Sequence, residues 1–386
     1  MLFYLFTFVL GFALDYAPQK NQTIKTIRKI FVVWLYVFLC FGYMTGSDWR
    51  GYELQYEFID KTAFFYVREA GFYYLFRFFK LFISDYWITV GILKSIYLYT
   101  LTRILKKITP FWLSVISLLM TGSLIFILID NPLRFMVALT IVNFAIEFVL
   151  NKKYLISLAL ILVAFFFHNT CIFFIVIIPI VMYAEKISTI NRLLLSVIFV
   201  GVVFLSSQTA ILESIRSSII SQIILIGEEM EIKDYSSYAI ETNRSFFTIG
   251  NILGIVFFFL VVISRDEVVD KYDNGRFIYG MAIVQMFLAR LLIMIPTGFR
   301  LNIPFGMFYM LYVVYLIRSK HVFRWIFILY FCVTFPRLLW NAYVYIPYSN
   351  SIPYIIKGHK SYNERSIYNF DAYQKRTGKS FGTDKE

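Results

Sequence analysis

The sequence predicts an all-α polytopic integral membrane protein, and three observations carry that prediction. The 386 residues are 59% hydrophobic and only 16% charged, whereas soluble domains are about 45–50% apolar and about 25% charged. The apolar residues gather into runs that approach the roughly 20 residues a membrane helix needs. Short basic clusters separate these runs in alternation, as expected where Lys and Arg hold loops on the cytoplasmic side.

Taken in order, the runs predict about 10 transmembrane helices, over residues 1–17, 29–45, 86–103, 109–129, 132–150, 193–208, 246–263, 277–295, 301–317 and 322–341. The first, from Met1, lacks a basic n-region and a small-residue cleavage motif, so it reads as a retained span. Residues 154–184 form a further apolar block, with His168-Asn169-Thr170 at its middle. A membrane hairpin there, with arms of about 14 residues or near 21 Å, returns the chain to the side it left. Arg28, Lys29, Arg103, Lys107, Lys153, Arg276 and Arg318 then share the cytoplasmic side, and His168 lies below the outer surface. The expected organisation is one membrane domain over 1–345, with outer loops at 46–85 and 209–245 and a polar C-terminal tail at 346–386. In the first loop, Gly71 to Lys80 sets Tyr and Phe against Arg and Lys, the pattern of an interfacial helix.

The formal charge of +13 does not imply nucleic acid, because the basic residues sit in short loops. Cys40, Cys171 and Cys332 lie in apolar segments without CxxC or Cys/His spacing, which argues against disulfide and zinc frameworks. No GxGxxG, Walker A, HExxH or GxSxG motif occurs, so no nucleotide loop, metal or other cofactor is expected.

The informative residues are polar ones at the ends of spans. Asp48 and Arg50 follow the second run, between Trp49 and Tyr52. Asp48 reads either as a general base at headgroup level or as a loop carboxylate paired with Arg50. Arg134 lies in the turn that begins at Asp130 and opens a span. There a guanidinium and open backbone N–H groups suit a phosphate, although an arginine snorkelling to headgroups would sit in the same place. His168 is one of three histidines, and an ionisable group at membrane depth is a functional candidate by default. Arg290 and Arg300 flank Pro296-Thr297-Gly298. They would clamp a diphosphate or pair with a carboxylate. Arg244, at the end of the second outer loop, is a weaker candidate.

This order of residues resembles the EpsG family, which belongs among the O-antigen and capsule polymerases of bacterial envelope assembly. The resemblance rests on Gly46-Ser47-Asp48 with Tyr52, Leu133-Arg134 with Ala138, and Phe167-His168. It continues through Arg300 with Phe305 and Tyr309, and Tyr345-Ile346-Pro347-Tyr348. Ser349 stands where family members often carry a basic residue. The resemblance implies a glycosyltransferase-C-like polymerase or ligase architecture. It implies transfer of a polyprenyl-diphosphate-linked glycan onto a second lipid-linked repeat unit, at the outer face of the cytoplasmic (inner) membrane. Arg300 and Arg134, then Arg290 and Arg244, would hold the diphosphate. Asp48, then His168, would act as base, and Trp49, Arg50 and Tyr52 would contact sugar or acceptor. The implied partners are the polyprenyl-diphosphate-linked oligosaccharide, the bilayer, a chain-length regulator and a flippase. The alternatives are another membrane glycosyltransferase or glycan ligase with a polyprenyl-linked donor, or a flippase or transporter for the lipid-linked sugar. A flippase should show repeat symmetry, and no internal repeat is evident.

Overall fold

The computed structural model describes residues 2–18, 21–46, 48–61, 69–130, 132–208, 247–292, 298–319, 321–341 and 348–377. Among them every extended element is a helix. Ser47, Asn131, the 209–245 loop with Arg244, Pro296-Thr297 and Tyr345-Ile346-Pro347 lie outside the described residues.

The helices begin where the sequence supplies a side-chain acceptor for their open N–H groups. Asn21 accepts from Thr23 and Ile24 to start Gln22–Cys40. Asp85 accepts from Trp87 and Ile88 to start Tyr86–Ile108, and Asn191 does the same for Arg192–Leu205. Lys106 and Lys107 close the last turn of Tyr86–Ile108, where positive charge complements the helix dipole.

Among the described residues, five helices are long and apolar enough to cross a membrane: Tyr86–Ile108, Leu133–Leu150, Asn169–Ile187, Phe299–Ser319 and Val322–Leu339. Trp112–Leu119 and Ser123–Asp130, bent by 73°, make a sixth if they cross as one. The structure therefore supports a helical membrane protein but not ten spans. Leu2–Tyr16, Arg192–Leu205 and Ile249–Ile263 are apolar but short. At 1.5 Å per residue, fifteen residues reach only about 22 Å, against a hydrocarbon core of about 30 Å. Gln22–Cys40 is longer, yet Lys25, Arg28 and Lys29 occupy its first turns. The 154–184 block also departs from expectation. It does break at His168, which is extended. Its second half, however, is no short arm, because Asn169–Ile187 runs 19 residues and is long enough to cross alone.

The chain divides into two compact units, Met1–Ile175 with Trp325–Glu386, and Val176–Arg324. In the first, Tyr86–Ile108 and Leu133–Leu150 lie side by side and run the same way. Both start beside the short helix Trp49–Glu57, through Trp87 to Glu53 and Arg134 to Tyr52. They end together where Arg103 and Lys107 hold Glu147. Tyr154–Phe167 packs back along Leu133–Leu150, so His168 arrives at the end that carries Arg134. The basic cluster and the Arg134 end thus lie at opposite ends of the same helices.

In the second unit, Gly275–Leu291 is flanked by Ile177–Ile187 and Phe299–Ser319. Arg192–Leu205 packs on Ile249–Ile263 through the stacked Phe199 and Phe258 rings, 3.8 Å apart. Arg192 and Arg265 both pair with Asp266 at the end of this arrangement.

Candidate functional site

The site in the first unit is assembled from four short stretches that the packing brings to one end of the helices. Gly46 makes the first approach possible. Its backbone has φ +81, and a Cβ there would stand 1.9 Å from the Asp130 carbonyl oxygen. Only glycine accommodates both the conformation and that proximity, which sets the Asp48 segment against the Asp130–Arg134 turn. Asp48 then begins Trp49–Glu57 as its N-cap residue, exposed, with no side-chain capping bond. One turn on, Tyr52 is buried against Phe72. Burial pushes its phenol above the ordinary value, and the Arg134 charge opposes that shift.

The second stretch is the amphipathic helix Ala70–Lys80. Phe72, Tyr73 and Phe76 are buried, while Tyr74 and Phe78 are exposed. A Cβ on Gly71 would come within 2.9 Å of the Phe166 carbonyl oxygen, so a small residue lets this helix sit against the end of Tyr154–Phe167. Glu69, the residue before the helix, is only 7% exposed and makes no side-chain capping bond. Its carboxylate instead faces Arg134 and His168. Arg134 Nη1 lies 3.1 Å from Glu69 Oε2, and His168 Nδ1 lies 3.8 Å from Oε1.

Arg134 sits in the first turn of Leu133–Leu150, two residues past the N-cap Pro132. It donates from Nε to the Tyr52 hydroxyl at 3.4 Å, and its side chain keeps 40% exposure. Asp48 contributes to the electrostatic field at both Arg134 and Tyr52. His168 packs edge-on to Phe135. Its Nδ1 accepts from the Thr170 N–H at 3.3 Å and lies 2.8 Å from Thr170 Oγ1, which favours the tautomer with the proton on Nε2. A half-exposed guanidinium is therefore gripped from behind by a buried carboxylate and a buried phenol. An exposed carboxylate and an imidazole stand close by.

The structure thus brings together Asp48, Tyr52, Arg134 and His168. It adds Glu69, which the sequence reading did not single out. Arg50 and Trp49 turn elsewhere. The Arg50 guanidinium lies 4.6 Å from the Phe370 ring centroid. Trp49 is fully buried, donates to Asn369 at 2.9 Å and packs on Trp87, which leaves its ring no face for a sugar.

Arg290 and Arg300 belong to the second unit. Arg290 donates to Asn251 Oδ1 at 2.9 Å and to the Gly250 carbonyl at 3.0 Å, across Gly254. Its guanidinium thus ties Gly275–Leu291 to the start of Ile249–Ile263, through an amide and a carbonyl rather than a carboxylate. Arg300 lies in the first turn of Phe299–Ser319, 6.0 Å from the Phe299 ring centroid.

The EpsG family's sequence profile matches residues 25–356. No curated protein and no solved structure is similar to the chain. The matched stretch covers most of the chain and takes in every residue of the Asp48, Glu69, Arg134 and His168 cluster, and on that match the chain belongs to the EpsG family.

Proposed function

We propose that this membrane protein is a polysaccharide polymerase. In this reading it transfers a glycan from polyprenyl diphosphate onto the terminal sugar of a second polyprenyl-diphosphate-linked repeat unit, at the outer face of the cytoplasmic membrane. The observation that carries the reading is Arg134, a half-exposed guanidinium held in a fixed pose by Glu69 and Tyr52. A planar fork so placed suits bidentate recognition of a phosphate.

In the proposed reaction a hydroxyl oxygen of the acceptor sugar attacks the anomeric carbon of the donor. The bond from that carbon to the diphosphate oxygen breaks, and polyprenyl diphosphate leaves with the bonding pair. Arg134 stabilises the negative charge that grows on the leaving oxygens, the kind of interaction that often contributes most to catalysis. Glu69 is a positioning residue for that guanidinium. Asp48, exposed beside Tyr52, takes the hydroxyl proton. His168 is the second choice as base, because Thr170 already occupies its Nδ1. Arg300, in the other unit, stays the sequence-based candidate for a further diphosphate ligand.

The test is the glycan profile of a deletion strain complemented with wild type, Arg134→Ala or Asp48→Ala. The expected result is single repeat units without long chains in both variants, and long chains with wild type. Long chains in the deletion strain itself would end the polymerase reading. Lipid-linked units trapped on the cytoplasmic side would point to a flippase instead.

A further inference from the structure

The C-terminal segment read as a polar tail folds back over the start of the first loop. Residues 41–43 and 349–351 run antiparallel, with Tyr43 donating to Ser349 at 2.8 Å and Ser351 donating to Phe41 at 2.7 Å. Beyond them come the helices Ile352–Lys357 and Tyr362–Thr377. Arg365 grips Glu53 through both carboxylate oxygens at 2.8 and 2.7 Å, and each side chain is only 5% exposed. His359 bridges Asp85 at 2.7 Å and the Tyr43 hydroxyl at 3.1 Å. A buried ion pair such as Glu53–Arg365 adds little net stability but fixes register. The Tyr362–Thr377 helix is therefore held in one position, although it lies past the residues that the family profile covers.

This fixed arrangement encloses a half-open cavity of about 170 Å³, lined by Tyr43, Tyr354, Tyr368, Lys360, Glu364 and Arg365 among others. Met44, on its wall, takes the left-handed conformation at φ 55. That is uncommon for a residue with a side chain, and strain of this kind gathers at ligand clamps. Drug-sized pockets start near about 300 Å³, so this one takes a single ring rather than a chain. Tyr43 is buried and stacked on Tyr354 with ring centroids 4.3 Å apart, so the half-exposed Tyr368 offers the apolar face with a hydrogen-bonding tip. Lys360 supplies donors and Glu364 acceptors. A sugar ring presents apolar C–H faces and a rim of hydroxyls, and those two features answer this lining. An acyl chain would strand the charges.

We propose that the cavity is a saccharide subsite that holds one sugar ring of the glycan. The identity of that glycan rests on the polymerase reading. Half of its lining, Lys360, Glu364, Arg365 and Tyr368, lies beyond the family-matched region, and the other half lies within it.

The test uses the full-length protein in nanodiscs. The probe is a fluorescent fragment of the producing cell's own surface polysaccharide, released by partial acid hydrolysis. Tyr368 is 50% exposed and Lys360 is exposed, so trimming either leaves the Glu53–Arg365 pair in place. Tyr368→Ala and Lys360→Ala should each weaken binding about tenfold, the effect of losing one stacking or charged contact. Tyr368→Phe should keep most of the affinity. Absence of binding by wild type, or equal affinity in all variants at wild-type thermal stability, would overturn the subsite. The fragment assay needs no catalysis. If the deletion strain keeps its long chains while Tyr368→Ala still loses the fragment, the polymerase reading fails and the subsite stands.

Discussion

Arg134→Ala separates the chemistry of the site from its packing. The guanidinium meets Glu69 at 3.1 Å and the Tyr52 hydroxyl at 3.4 Å, with 40% of its side chain exposed. Breaking a fully buried ion pair costs about 3–5 kcal/mol, and an exposed pair contributes about 0.2–1 kcal/mol. Glu69 lies at the first limit and Arg134 toward the second, so the expected stability loss, discounted for solvent screening, is about 1–2 kcal/mol. That is small against a typical folding stability of about 5–15 kcal/mol, and the variant should still reach the membrane. The rate should fall much further. Removing one preorganised donor to a developing oxyanion costs about 10²–10³-fold in kcat. Arg134→Lys keeps the charge and loses the fork, with an expected loss of about tenfold. Glu69→Gln should impair the rate while leaving Arg134 charged. Combining it with Arg134→Ala should cost less than the sum, with a coupling of about 1–2 kcal/mol for residues in direct contact. The assay is the initial rate of long-chain formation in isolated membranes supplied with radiolabelled lipid-linked repeat units, normalised to protein present. Wild-type rates in Arg134→Ala, or strict additivity with Glu69→Gln, would refute the reasoning.

Three further outcomes follow from the same geometry. Gly46→Ala places a Cβ against the Asp130 carbonyl at a φ of +81; the left-handed conformation alone costs about 1–2 kcal/mol, so thermal unfolding should shift down by more than that strain implies, and an unchanged melting curve would contradict it. Glu53→Ala leaves Arg365 buried without its carboxylate, at an expected cost of about 3–5 kcal/mol, and limited proteolysis should then cut within 358–377 long before it does so in wild type. The Arg192 hydrogen bond, followed in weight by an opposing desolvation, leaves the Asp266 carboxyl below its ordinary 3.8. Because the folded value is depressed, this contribution is whole above the unfolded value and is lost as pH falls through the folded one. Asp266 is half-exposed, so this contribution is at most about 1 kcal/mol; Asp266→Asn should lower thermal stability at pH 7 by no more than that, and the gap to wild type should close as pH falls below the folded value.

What the sequence made legible was contrast. Arg134, Asp48 and His168 each interrupt or border an apolar run, and a charge beside a membrane segment stands out in any hydropathy reading. Glu69 lies among other acids and aromatics in the 46–85 loop, where no contrast marks it. The one available signal was its place just before an amphipathic helix, a position that usually means a cap. The structure shows the carboxylate doing something else, turning to Arg134 across 65 residues of chain. The span count failed for a related reason. Hydropathy marks an apolar run without fixing whether it reaches across the bilayer, and Leu2–Tyr16 and Ile249–Ile263 are 15 residues each, short of a full span. Arg290 was read through charge alone, yet its partners are the Asn251 amide and the Gly250 carbonyl, neutral groups on another helix. The C-terminal segment was the least legible. Its polarity marks a tail by composition, but Glu53 and Arg365 are 312 residues apart in sequence, and no local pattern announces such a pair. Local patterning therefore finds residues whose surroundings are set by the membrane. It does not reach surroundings set by another part of the protein: Glu69 and Arg365 went unmarked, and Arg290 stood out by its charge while its partners, Asn251 and Gly250, did not.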